Sequence, residues 1–167
     1  MKITELLIAE LEREAVGTRK ALERVPEGRD DWKPHEKSMP LGYLASLIAT
    51  MPGWAAAIVT QDELDLSAPG EFQTPSSQTN RELLEAFDNA VAKAREALSS
   101  TTDEHLTTPW RLLVQGQVVA EQPRYVMIRD SAFNHLAHHR GQLTVYLRLN
   151  DVPVPSLYGP TADEKGF

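Results

Sequence analysis

The chain has 167 residues, no cysteine, a formal net charge of -7, 41% hydrophobic residues and 25% charged residues. That size and balance predict one folded domain over residues 1–167, with a core that needs no disulfide, and they exclude thiol catalysis and thiolate metal sites. The acidic charge argues against a nucleic-acid partner, and the absence of an uninterrupted apolar run of membrane-spanning length argues against a membrane partner.

Met1-Lys2-Ile3-Thr4-Glu5 leads into a charged amphipathic segment without an apolar signal core, so the expected location is the cytoplasm. From residue 3 to 25, Ile3, Leu7, Leu11, Ala15, Thr18, Leu22 and Val25 recur at steps of three and four, which predicts a first helix ended by Pro26-Glu27-Gly28. A loop carrying Trp32 and His35 follows. Ser38 is the expected cap of a second helix over Leu41 to Val59, nearly all apolar or small and interrupted at Pro52-Gly53.

Gln61 to Ser77 turns polar and rich in Pro, Ser and Gly, and reads as a long loop. Thr79-Asn80-Arg81-Glu82 fits a capping box ahead of a third helix with Leu83, Phe87, Ala90, Val91, Ala94 and Leu98 on one stripe. Between Thr107 and Ala120, two short apolar runs flank Gln115-Gly116 and predict a small hairpin or extended excursion over one end of the molecule. Pro123 opens a fourth helix that runs to about Leu149, and a proline-rich extended tail follows from Val152 to Pro160. The fold class expected from these elements is an all-α helical bundle.

Three of the five histidines fall within five residues of the fourth helix, in Phe133-Asn134-His135-Leu136-Ala137-His138-His139-Arg140-Gly141-Gln142-Leu143. Residues four apart share a helix face, so His135 and His139 project together from a stripe that includes Ile128, Ala132, Gln142 and Tyr146. Two such imidazoles suit one divalent ion, and zinc, nickel, iron and manganese all accept that donor. The competing structural reading makes them hydrogen-bonded core or rim histidines. On the first reading Gln142 and Tyr146 line the adjoining pocket, and Arg140 either grips an anionic substrate group or pairs with a carboxylate.

Leu41-Gly42-Tyr43-Leu44-Ala45, Met51-Pro52-Gly53-Trp54, the His-His-Arg-Gly-Gln-Leu run and the Leu157-Tyr158-Gly159-Pro160 tail together resemble the DinB superfamily over nearly the whole chain. The resemblance implies an up-down-down-up four-helix bundle, commonly a homodimer, damage-inducible in its namesakes, with a divalent metal held by three histidines. Two of these match His135 and His139. The remaining ligand maps onto Leu47, which cannot coordinate a metal and serves instead as a pocket wall. His35 is the first substitute considered, with His138, Asp130 and Glu36 behind it. The resemblance thus leaves two functions: a metal-dependent transferase- or hydrolase-type enzyme with an altered site, or a noncatalytic small-molecule-binding or dimeric stress-related module that has lost its metal.

Overall fold

A computed structural model of the chain describes residues 2–68 and 79–165. Helix α1 (Ile3–Leu22) buries Leu7, Leu11, Thr18, Ala21 and Leu22 along its apolar stripe. Its free N-terminal amides are met from far along the chain: Ile3 N and Thr4 N donate to the Asp103 carboxylate at 2.9 and 3.0 Å. These bonds hold the Asp103 carboxyl below its ordinary value, the Thr4 contact acting most strongly.

The second apolar segment is two helices, α2 (Leu41–Thr50) and α3 (Pro52–Thr60), bent by 43° at Met51. Pro52 occupies the first position of α3, where its missing N–H costs no helical bond. Ser38 does not cap α2; Pro40 holds the cap position without a side-chain bond, and the preceding loop closes through Gly42 N donating to Asp30 O at 3.0 Å. Gly42 permits that closure, because a Cβ there would lie 2.9 Å from both Cβ and Oδ1 of Asp30. No single helix among the described residues is long and apolar enough to cross a membrane.

Helix α4 (Asn80–Ser100) starts where the capping sequence places it, with Thr79 Oγ1 accepting from Glu82 N at 3.2 Å. A single short turn, α5 (Asp103–Leu106), follows and delivers Asp103 to α1. The C-terminal helical run comprises α6 (Arg124–Met127), a π-helical stretch over Ile128–Asn134, and α7 (His135–Leu149). Neither α5 nor the π stretch shows in a 3.6-residue pattern.

The all-α expectation is overturned by a three-stranded mixed sheet in the order β1-β2-β3. Strands β2 (Pro109–Val114) and β3 (Gln117–Pro123) are antiparallel, joined by Gln115-Gly116. Both turn residues have positive φ, 52° and 73°, as the tightest hairpin turns require. Strand β1 (Glu63–Asp65) lies parallel to β2, with Glu63, Leu64 and Asp65 opposite Arg111, Leu112 and Leu113. The long loop expected over Gln61 to Ser77 therefore contains a strand at its start, and its residues 69–77 lie outside the described residues. Three residues are too few for a period-2 pattern to declare itself, which is why β1 escapes a sequence reading. Asp65 ties strand and hairpin together: its carboxylate accepts from Gly116 N at 2.7 Å and Gln115 N at 3.2 Å.

Two apolar clusters form the core. One joins Ala21 and Leu22 of α1 to Leu41, Leu44, Ala45, Leu47, Ile48, Ala49 and Met51, and to Leu83, Phe87, Leu136, Leu143, Tyr146 and Leu147. The other joins Leu7 and Leu11 to Ala55, Ile58, Ala94, Leu98, Leu106, Trp110, Ile128 and Phe133, and the sheet packs on this second cluster through Leu64, Leu112 and Ala120. Trp54 touches both.

Candidate functional site

His135 and His139 stand one turn apart on α7 and their Nε2 atoms approach to 2.9 Å. The other nitrogen of His139 is committed: Nδ1 lies 2.7 Å from Gln142 Oε1. An amide oxygen only accepts, so Nδ1 carries the proton and the neutral ring presents a bare Nε2 toward His135. The same amide turns its nitrogen to His138 Nε2 at 3.2 Å, which fixes its orientation.

The Ser131 backbone beside His135 is the one influence that favours its charged form. Burial, followed by the neighbouring His139 and His138 rings, outweighs that influence and lowers the His135 pKa below its ordinary 6.5. At 2.9 Å the two Nε2 atoms cannot both present bare lone pairs without repulsion, so a proton or a cation lies between them. Metal-ligating histidines show the same tethering of the distal N–H that Gln142 gives His139.

The Trp54 ring leans on His135 at a centroid distance of 5.6 Å. From there a cavity of about 270 Å³ opens between three walls. The first is the stripe Trp54, Ala57, Ile58 and Gln61 of α3 and the residue after it, at helical steps of three and four. The second is one face of the sheet: Leu64 sits opposite Leu112 in register, and Leu66 and Trp110 lie two residues away from them on the same face. The third is Ser131 and His135, four residues apart across the junction of the π stretch and α7.

The remaining sequence candidates do not line this cavity. Leu47 is buried, 8% exposed, in the first core cluster. Tyr146 is also in that cluster, with its hydroxyl donating to Met39 O at 3.1 Å and its ring edge-on to Trp32 at 5.6 Å. His35 is exposed in its loop, where Nδ1 accepts from Lys37 N at 3.1 Å. His138 is exposed, with its ring 5.0 Å from that of His139 and 6.4 Å from that of His135, and Asp130 is exposed and bonded to Asn134. Among the described residues no group of three or more His, Cys, Asp or Glu side chains is placed to hold a metal ion. The two histidines and Gln142 are brought together, and among the described residues no third protein ligand joins them.

The sheet-borne cavity wall escaped the sequence reading. The alternation Glu63-Leu64-Asp65-Leu66 and the i, i+2 pair Trp110 and Leu112 carried the signal, but only the pairing of β1 with β2 makes them one surface.

Arg140, next in sequence to His139, belongs to a different site. It is 1% exposed and ion-paired to Glu14 at 2.6 Å, with Nη1 donating to Glu14 O and Thr18 Oγ1 at 3.1 and 2.9 Å. Tyr158 from the C-terminal tail closes the group: its hydroxyl donates to Glu14 at 2.5 Å and its ring lies 5.0 Å from the guanidinium. The guanidinium is thus structural, and no donor of it reaches the histidine pair.

The model of the DinB family matches residues 1–165. An uncharacterized protein, YrdA, of Bacillus subtilis (strain 168) is 29% identical over 112 residues, covering 66% of this chain and 63% of that protein. The match thus spans somewhat less than two thirds of the relative's length. A DinB-like protein from Bacillus cereus ATCC 10987 superposes with a TM-score of 0.67 at 21% identity, covering 92% of this chain and 97% of that one. A DinB-like protein from Bacillus subtilis gives a TM-score of 0.67 at 19% identity over 90% and 96% of the two chains. At those identities the likeness speaks for the fold.

Proposed function

Because the chain belongs to the DinB family, we propose that it is a small-molecule enzyme of the transferase or hydrolase type, working at the His135–His139 pair with one divalent metal and an altered ligand set. The observation that carries this reading is the approach of the two Nε2 atoms to 2.9 Å while Gln142 holds the opposite side of the His139 ring. That donor set fits a borderline cation such as zinc, nickel, iron or manganese. Two imidazoles hold it more weakly than three, and they leave coordination positions for water or substrate. A divalent ion bound here would act as a Lewis acid and lower the pKa of a coordinated water or substrate group.

The chain's own residues supply the rest. His135 and His139 hold the centre, Gln142 fixes the His139 tautomer, and Trp54 limits rotation of the His135 ring. The apolar walls from α3 and the sheet keep water from the reacting end of the substrate. Assembly as a homodimer belongs to the same proposal, and the mass in solution by light scattering checks it.

A second reading is favoured by one observation: Leu47 is buried among apolar neighbours, and no third ligand accompanies the pair among the described residues. On that reading the chain is a noncatalytic binding module that has lost its metal, and the two histidines share a proton instead.

Elemental analysis of untagged protein, before and after incubation with zinc, nickel and manganese, separates the two. Near-stoichiometric metal that is lost in both His135→Ala and His139→Ala supports the enzyme. No metal under any condition sinks it and leaves the binding module. Leu47→His then adds a sharper contrast: tight zinc binding in that variant, where the native chain has none, marks a site emptied by one substitution.

A further inference from the structure

The cavity beside His135 is made of hydrocarbon on two of its three sides. Trp54, Ala57 and Ile58 supply it from α3, and Leu64, Leu66 and Leu112 from the sheet. Trp110 also lines the space but offers no indole donor to it, because its Nε1 is shut away inside the protein. The polar liners are Gln61, exposed at the end of α3, and Ser131 and His135 on the third side. Among the described residues no Asp, Glu, Lys or Arg lines the cavity, so a charged group entering it would lose its hydration without gaining a counter-charge. An apolar cavity of about 150 Å³ is already large enough to hold benzene. The volume here, about 270 Å³, leaves room for a ring with a short side chain. Ala57 is the smallest liner and stands one helical step from both Trp54 and Gln61, so the room lies where its side chain stops short.

We propose that this cavity holds an uncharged hydrocarbon group of the substrate, a benzene ring or a branched aliphatic chain, next to the histidine pair, and that Ala57 sets the size it accepts. This deepens the reading of the pair as the working centre by naming the substrate class. That the cavity binds hydrocarbon and rejects charge stands on its walls alone.

The test uses EDTA-treated, ¹⁵N-labelled protein and three probes of matched shape: ethylbenzene, the benzylammonium cation and the benzoate anion. Ethylbenzene should move the backbone amide signals of Ala57, Leu64 and Leu112 in a saturable titration. Both charged probes should bind at least about tenfold more weakly. Ala57→Leu places a good helix former at the same position and fills the space, so ethylbenzene should bind it at least about tenfold more weakly than wild type. Should that variant fail to fold, the wild-type ranking and the identity of the shifted amides decide the matter.

A charged probe that binds as tightly as ethylbenzene, shifts confined to residues away from the cavity, a folded Ala57→Leu protein with wild-type affinity, or no binding by any probe would each overturn the proposal. Since the readout is taken without metal, a chain that selects ethylbenzene but never binds zinc keeps this cavity assignment and loses the metalloenzyme reading. A chain that binds zinc but no probe does the reverse.

Discussion

His139 and Arg140 are neighbours in sequence, both buried, and they sit in opposite kinds of surroundings. Around Arg140 the bonds close on themselves: Glu14, Thr18 and Tyr158 satisfy the guanidinium, and Glu14 is satisfied in return. Around His139 and His135 the bonds close on one side and stop. The His139 ring is anchored at its distal edge by Gln142, and the two Nε2 atoms face each other beside the cavity. A buried cation tolerates no such gap, because its desolvation must be offset by partners, whereas a neutral imidazole can present a lone pair at modest cost. The difference separates scaffold from chemistry within two consecutive residues of one helix.

The largest effect should come from breaking the closed side. Arg140→Ala leaves the partly buried Glu14 with the Tyr158 hydroxyl and no cation, and urea denaturation should register a loss of up to about 3 kcal/mol. Zinc affinity measured on the protein that remains folded should change far less, since Arg140 touches neither histidine. An equal loss of both would mean that the two regions are one network.

Gln142→Leu should do the opposite. It removes the acceptor that fixes the His139 tautomer, and zinc affinity by competitive titration should fall about 10- to 100-fold. Stability should move by about 1 kcal/mol or less, because Gln142 is only partly buried.

A smaller effect lies in acid. The Asp103 carboxyl is held below its ordinary 3.8 by the α1 amides, so the unfolded chain binds more protons in that window. Its contribution is complete above about pH 4 and disappears as pH falls through the lowered value. Thermal denaturation of Asp103→Asn should therefore be less stable than wild type at pH 6 and approach it at pH 2. A difference that persists at pH 2 would assign the effect to packing rather than to the charge at the helix end.

The smallest effect sets the baseline for these comparisons. Arg81 and Glu85 form an exposed pair at 4.0 Å, and Arg81→Ala should cost less than about 0.5 kcal/mol in the same denaturation experiment.

Long amphipathic patterns were legible from the sequence. The first and third helices, the break at Pro52 and the pairing of His135 with His139 follow from spacing and proline chemistry that act within a few residues. The sheet was not. Strand β1 exists because residues 63–65 find β2 some fifty positions later, and no local pattern records that partner. The cavity was lost with it: Leu64, Leu66, Trp110 and Leu112 read as scattered apolar residues until the strands are laid side by side. Tyr146 shows the converse, since its helical phase places it on the histidine stripe while Trp32 and the Met39 carbonyl, both from the loop before α2, occupy it. Asp103 is invisible for the same reason, as it caps a helix that begins a hundred residues earlier.

The π-helical stretch bears on how such a chain tolerates change. An i→i+5 turn holds one more residue than the α-helical turn it replaces, so Ile128–Asn134 acts as a vernier between α6 and α7. Point substitutions on its exposed side leave that offset alone. Losing a single codon there would let the run close to α-helix with its two flanks still in phase, because this wider turn is where the extra residue is taken up. Met127 and Ile128 would keep their core positions, whereas the same loss inside α7 would rotate everything upstream by about 100°. Divergence of this chain is therefore freer in residue number across 128–134 than within the regular helices on either side.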